Sequence, residues 1–187
     1  MLAVMAELVR LRRLHEDDLG ALHAWYQSPE LWEHLVGDWR ARSEAAAVAY
    51  MRRWLAPGPR EVRLAVTRAS DGVLIGLASL SPIDPEAGEA EFHIFLGDAA
   101  ERGRGYGRAA TSATLEHAFE ALRLWRVLLR VLQTNVAALK VYARLGFSPD
   151  EAAAPETVVK GGAPVAVIAL SLTEAAFRHR QAADAHR

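Results

Sequence analysis

Apolar and polar residues alternate through Glu7 to Leu14, ELVRLRRL, the period of a half-buried strand. The rhythm then turns helical in HEDDLGALHAWYQSPE: Asp17 or Asp18 can open a short helix, and Pro29 lies just beyond it. LWEHLVGDW is aromatic and acidic without a clear period. SEAAAVAYMRRWL predicts a second helix with Ser43 as N-cap, stopped by Pro57 to Pro59, PGP.

The period changes again at VRLAVT and VLIGLASLS, two strands around the turn RASDG. EAEFHIFLG, Glu89 to Gly97, alternates strictly. Ala90, Phe92, Ile94 and Leu96 fall on one face; Glu89, Glu91, His93 and Phe95 fall on the other. A helix follows from about Tyr106 to Leu122, with Ala110, Thr114, Leu115, Ala118, Phe119 and Leu122 on its apolar stripe. LWRVLLRVLQ reads as a strand, and TNVAALKVYARLGF as a helix ending at Gly146, a good residue to follow a helix. APETVVK and APVAVIALSL flank Gly161–Gly162 as a closing hairpin, and a fraying helix or tail begins at Thr173. Consecutive strands in the middle make the class α+β with a largely antiparallel sheet. One domain is expected over residues 1–172, with 173–187 as a C-terminal helix or tail.

Composition narrows the chemistry. The chain has 187 residues, half of them hydrophobic, enough for one substantial core. Its formal net charge of -1 gives no reason to expect nucleic acid or a membrane surface as partner. Lys140 and Lys160 are the only lysines among many arginines, a feature of genomic bias. There is no cysteine, which excludes disulfides, thiolate zinc sites and a cysteine nucleophile. The seven histidines show no paired ligand spacing, so no metal is expected. The N-terminal stretch lacks the pattern of a signal peptide and no window approaches a membrane span, so a cytoplasmic protein is the expectation.

ERGRGYGRAA, Glu101 to Ala110, places Gly103, Gly105 and Gly107 at alternate positions between a strand and a helix. Backbone N–H groups at a helix start cradle anions, and a Cβ would keep phosphate oxygens away from them. Arg102, Arg104 and Arg108 add positive charge. A P-loop would need a lysine and a hydroxyl after its last glycine, and a dinucleotide fingerprint would need glycine where Arg108 stands. A coenzyme A diphosphate site and a plain flexible turn both remain open on these residues alone.

Arg102-x-x-Gly105-x-Gly107 matches the R/Q-x-x-G-x-G/A motif of the GNAT superfamily of acyl-CoA-dependent N-acyltransferases. Downstream, Asn135-x-x-Ala138-x-x-x-Tyr142-x-x-x-Gly146-Phe147 resembles that family's second signature. LVRLRRLHEDDLGALHAW and AEFHIFLGD resemble the branch of ribosomal-protein N-terminal and polyamine acetyltransferases, so the resemblance runs to about Leu172.

The resemblance implies a GNAT fold: a mixed, mostly antiparallel sheet of about seven strands, about four helices, and two strands splayed to admit acetyl-CoA. It implies direct transfer from acetyl-CoA to a primary amine, a protein N-terminus first and a polyamine or antibiotic amine second. A non-catalytic acyl-CoA-binding or sensor module on the same fold is the competing reading, and a homodimer, the commonest assembly of a compact enzyme, stays open. By the same resemblance the turn from Arg102 to Arg108, including Tyr106, holds the diphosphate. A backbone N–H near Phe95 or Leu96 faces the thioester oxygen, Asn135 and Ala138 lie along the pantetheine arm, and Tyr142 protonates the departing thiolate. Glu91 and His93 are the candidate bases. Relatives often carry an acid in the last hairpin, where this chain has Pro164, Val165 and Ala166. Trp32, Glu33, His34, Asp38 and Trp39 are candidates to face the acceptor, with Trp32 and Trp39 also read as core anchors.

Overall fold

The computed structural model describes residues 4–5, 7–37 and 43–185. In chain order the elements are β1 (Val4–Met5), β2 (Val9–Arg13), α1 (Leu19–Tyr26), α2 (Pro29–Trp32), α3 (Glu44–Leu55), β3 (Val62–Arg68), β4 (Leu74–Asp84) and β5 (Glu89–Leu96). They continue with α4 (Tyr106–Glu116), β6 (Arg126–Leu132), α5 (Val136–Leu145), β7 (Ser148–Pro149), β8 (Glu156–Lys160), β9 (Ala163–Thr173) and α6 (Glu174–Ala185). Single 3-10 turns precede α1 and α4, and a π-turn over His117–Ala121 extends α4 toward β6.

Among the described residues the strands form one sheet in the order β1-β2-β3-β4-β5-β6-β9-β7, with β8 also on β9. Every pairing is antiparallel except β5 with β6. Seven strands run to five residues or more; β1 and β7 have two each. The mixed α+β architecture expected from the alternating pattern is therefore present.

Two apolar clusters sandwich the sheet. The larger packs α4, α5 and α6 over one face and contains Phe92, Leu115, Phe119, Leu129, Tyr142 and Phe177. The smaller packs α1 and α3 over the other face through Leu22, Trp25, Met51, Ala65 and Leu77. The alternation in β5 sorts as the pattern required: Ala90 and Phe92 are buried in the large cluster, and Phe95 joins the small one.

Two local expectations change. Pro29 does not merely follow the first helix; it occupies the first turn of α2, where its missing N–H costs nothing. The C-terminal segment is a docked helix, because Phe177 is fully buried against Phe119 with ring centroids 5.5 Å apart. Burying one such ring contributes about 1.5–3 kcal/mol, enough to hold a terminal helix down. Among the described residues no helix is long and apolar enough to cross a membrane.

Candidate active site

The site begins where the sheet fails to close. The β5–β6 ladder has only three register pairs, Glu89↔Arg126, Ala90↔Val127 and Glu91↔Leu128. Beyond them β5 continues to Leu96, held by β4, and β6 continues to Leu132, held by β9. The strands thus part toward their C-terminal ends. Gly97 donates its N–H to Ile75 O at 2.9 Å. Residues two apart share an orientation in an antiparallel pair, so Phe95 and His93 also pair toward β4. Phe92, Ile94 and Leu96 turn their amides the other way, and those of Ile94 and Leu96 face the split past the last ladder pair. Of the two positions expected to offer a free N–H, Leu96 has this orientation and Phe95 does not; the Phe95 ring instead meets Trp25 edge-on at 6.0 Å.

Gly97 leads from the split into the glycine turn. A Cβ there would run into the Trp25 indole, whose Nε1 donates to Asp98 Oδ1 at 3.3 Å. This close approach fixes α1 against the end of β5. Gly103 and Gly105 then take left-handed conformations, φ 76° and 86°, and Gly105 is the N-cap of α4. A Cβ added at Gly103 or Gly107 would meet no protein atom within 4 Å. The space beside both is open, as an anion cradle requires. Tyr106 packs against the large cluster, while Arg104 and Arg108 are exposed and Arg102 lies 3.8 Å from Glu30 Oε1.

Sequence reasoning missed what anchors this turn. Glu101 Oε1 accepts from Arg68 Nη1 of β3 at 2.7 Å, and Arg68 also pairs with Asp71 at 2.9 Å. Glu101 Oε2 faces Arg104 at 3.9 Å and is, among the described residues, the one fully buried side-chain oxygen without a hydrogen bond. An acid inside a run of arginines was the available signal.

At the start of α5, Asn135 Oδ1 accepts from the Ala138 N–H at 3.1 Å, the N-cap bond its residue type favours. Its Nδ2 donates to His34 O at 3.2 Å. Tyr142, two turns on, is buried in the same apolar cluster as Ile94, Leu96 and Ala138, edge-on to Phe147 at 5.5 Å. Burial pushes its phenol up to about 12. Gly146, at φ 97°, ends the helix, and the Phe147 N–H returns to Tyr142 O at 3.1 Å.

Glu91 and His93 lie on the opposite face, beyond the small cluster. Arg130 Nε donates to Glu91 Oε1 at 2.8 Å, and Arg130 Nη1 pairs with Glu156 of β8 at 3.1 Å. Arg126 similarly joins Glu89 at 2.9 Å and Asp150 at 2.7 Å. The ladder shifts register between Leu80 and Ile83, around Pro82, which has no N–H to contribute. There Ser81 O lies 2.9 Å from His93 Nε2. A carbonyl only accepts, so Nε2 is the donor in this contact and Nδ1 is left clear of it. The closing hairpin lacks an acid at Pro164 to Ala166, yet its other strand supplies Glu156.

In the first loop, Trp32 serves as an anchor: its ring meets Tyr26 edge-on at 5.4 Å and its Nε1 donates to Tyr26 O at 2.9 Å. Glu33 and His34 are exposed. Asp38 and Trp39 lie outside the described residues. No group of three or more metal-ligating side chains occurs among the described residues.

The Acetyltransferase (GNAT) domain family matches residues 9–148. The "Probable N-acetyltransferase YjcK" of Bacillus subtilis (strain 168) is 29% identical over 101 residues, 54% of this chain and 56% of that protein. A mycothiol acetyltransferase of Tsukamurella paurometabola is 38% identical over 82 residues, 44% of this chain and 28% of that one. The chain thus spans about half or less of the length of these curated relatives. Among solved structures, spermidine N-acetyltransferase from Vibrio cholerae, in complex with CoA and spermine, aligns with a TM-score of 0.80 at 22% identity, over 92% of this chain and 99% of that one. At that identity the likeness is one of fold. The family match covers both glycine-turn and Asn135–Tyr142 motifs, and on it the chain belongs to the GNAT acetyltransferase family, whose members use acetyl-CoA.

Proposed function

We propose that this protein transfers the acetyl group of acetyl-CoA directly to a primary amine, most plainly the α-amine of a polypeptide. What carries the reading is one conjunction: the open space at Gly103 and Gly107, the unpaired β5 edge at Ile94 and Leu96, and Tyr142 of α5 packed in the same cluster as Ile94 and Leu96. Acetyl-CoA supplies the acetyl group as a thioester. The glycine turn binds its diphosphate through backbone N–H groups, with Arg102, Arg104 and Arg108 adding charge. The β5 edge pairs with the amides of the pantetheine arm as an added strand would. Leu96 N–H stabilises negative charge developing on the acetyl oxygen.

Tyr142 stands at the sulfur. With its phenol near 12, full release of the proton to a thiolate of ordinary thiol pKa, about 8.5, costs about 5 kcal/mol. Tyr142 therefore acts first as a hydrogen-bond donor that steadies the departing sulfur. On the other side His93 accepts the amine proton at Nδ1, directly or through water. Glu91 is the weaker candidate, since Oε1 already holds Arg130.

The acceptor follows from that modest equipment. Neutralising an α-amine at pH 7 costs about 1 kcal/mol, and a lysine-like or polyamine amine about 4–5 kcal/mol. The amine asking least of a base fits best. Acetyl-CoA binding by calorimetry, followed by thiol release across a panel of peptides with free N-termini, spermidine and aminoglycosides, tests the reading. Saturable acetyl-CoA binding and turnover of peptide amines are expected; tight ATP binding without acetyl-CoA binding overturns it.

A further inference from the structure

Three carbonyls, one at the end of α2 and two in the loop that follows it, are held from across the split. Lys160 Nζ donates to Trp32 O at 3.1 Å and to Gly37 O at 2.6 Å, and Asn135 Nδ2 donates to His34 O between them. The acceptors and donors come from different halves of the sheet. The loop leaves α2, which belongs to the layer over β2–β4 and sits beside the glycine turn through Glu30 and Arg102. Asn135 follows the end of β6. Lys160 ends β8, whose hairpin runs past the last β6 pair, Leu132↔Val167, out to Lys160↔Ala163. β5 and β6 part toward that same end. Residues 33–37 therefore cross the open mouth of the split where no ladder joins its sides.

The nature of the tie bears on the acceptor. A lysine ammonium is chemically the same group as the terminal ammonium of a polyamine. Here the chain's own ammonium sits against the carbonyls at the end of α2 and at Gly37, where a cation is favoured. We propose that Lys160 is a specificity-determining positioning residue. It holds the 33–37 loop across the mouth, and it fills the carbonyl cage that a second ammonium of a polyamine would take, so the site selects acceptors with a single amine. This rests on the acetyl-CoA reading above and deepens it.

Wild type, Lys160→Met, Lys160→Gln and Lys160→Arg are compared by hydrogen exchange of residues 33–37 without substrates. The same proteins are assayed for acetyl-CoA affinity and for kinetics with a free-N-terminus peptide and with spermidine. Losing a charged donor to two carbonyls raises the peptide KM about tenfold in the Met and Gln variants. Exchange at 33–37 speeds up, acetyl-CoA affinity holds, and the spermidine-to-peptide ratio of kcat/KM rises. Propylammonium added to Lys160→Met restores protection of the loop, and Lys160→Arg keeps the wild-type pattern. Unchanged exchange and peptide KM in both Met and Gln variants overturn the proposal, as does an equal loss of acetyl-CoA affinity. If no protein acetylates any amine, the functional reading has failed, and loss of loop protection in Lys160→Met still upholds the strap.

Discussion

At the glycine turn and along β5, the groups left open to a ligand are backbone: left-handed glycines, a helix start, and amides at Ile94 and Leu96 left over when two strands part. On the Glu91–His93 face they are long side chains, and these are already engaged. Arg130 holds Glu91 and Glu156, Arg126 holds Glu89 and Asp150, Ser81 O holds His93, and Lys160 holds the loop. On the proposed function, the half assigned to the donor is pre-organised and waiting for hydrogen bonds, whereas the half assigned to the acceptor must exchange existing contacts for new ones. Unmet backbone groups in a semi-buried cleft favour a fixed ligand with many amides. Paired charges at a partly exposed face are worth about 0–1 kcal/mol each and can be rearranged for different acceptors.

The largest expected effect lies on the donor side. Tyr142→Phe removes one donor to developing charge on sulfur, which lowers kcat about 10²–10³-fold by analogy with losing an oxyanion donor. KM for acetyl-CoA stays within about twofold, since that bond strengthens only as sulfur departs. Steady-state kinetics checks this; unchanged kcat removes Tyr142 from the chemistry.

The same residue predicts a pH effect on stability. Burial raises the Tyr142 phenol to about 12 in the fold, against about 10 in an unfolded chain. Below pH 10 both states are neutral and the contribution is intact. Above it the unfolded chain ionises first, so about 2–3 kcal/mol is lost as pH rises through 12. Urea unfolding at pH 9 and pH 11.5 should show a smaller alkaline loss in Tyr142→Phe than in wild type; equal losses would place the phenol in solvent.

The smallest change sharpens the comparison most. Gly107 lies inside α4, has no left-handed φ, and would offer a new Cβ open space. Gly107→Ala should therefore raise stability by up to about 1 kcal/mol through helix propensity. It should leave acetyl-CoA binding within about twofold, since the R/Q-x-x-G-x-G/A motif accepts alanine at this position and the N–H groups stay in place. Gly105 is a poorer probe, because its φ of 86° and Leu8 at 3.3 Å strain any side chain without a ligand. Melting curves together with calorimetric Kd values separate the two effects, and a tenfold loss of affinity would mean that the phosphate lies directly against this Cβ.

Local pattern was enough for most of the scaffold. Alternation sorted Ala90 and Phe92 from Phe95, Ser43 accepts from the Ala46 N–H at 3.3 Å, and Gly146 ends α5. These features depend on residues a few positions apart, so a linear string contains them. The candidate donor site was legible for the same reason: a turn of consecutive glycine-flanked amides and a helix face of Asn135 and Tyr142 are local objects.

What the string could not contain is which distant groups meet. Asn135 and Lys160 reach a loop 101 and 123 residues away, Arg130 ties Glu91 to Glu156, and Arg68 pins Glu101 from another strand. Sequence by itself determined the α+β class, the family resemblance and the local geometry of the glycine turn, because backbone conformation and side-chain period are set by near neighbours. Tertiary structure alone decided which amides face the split, how the candidate bases are engaged, and that Lys160 closes the mouth. Each of those depends on strand register and on long side chains spanning elements, and no local propensity encodes them.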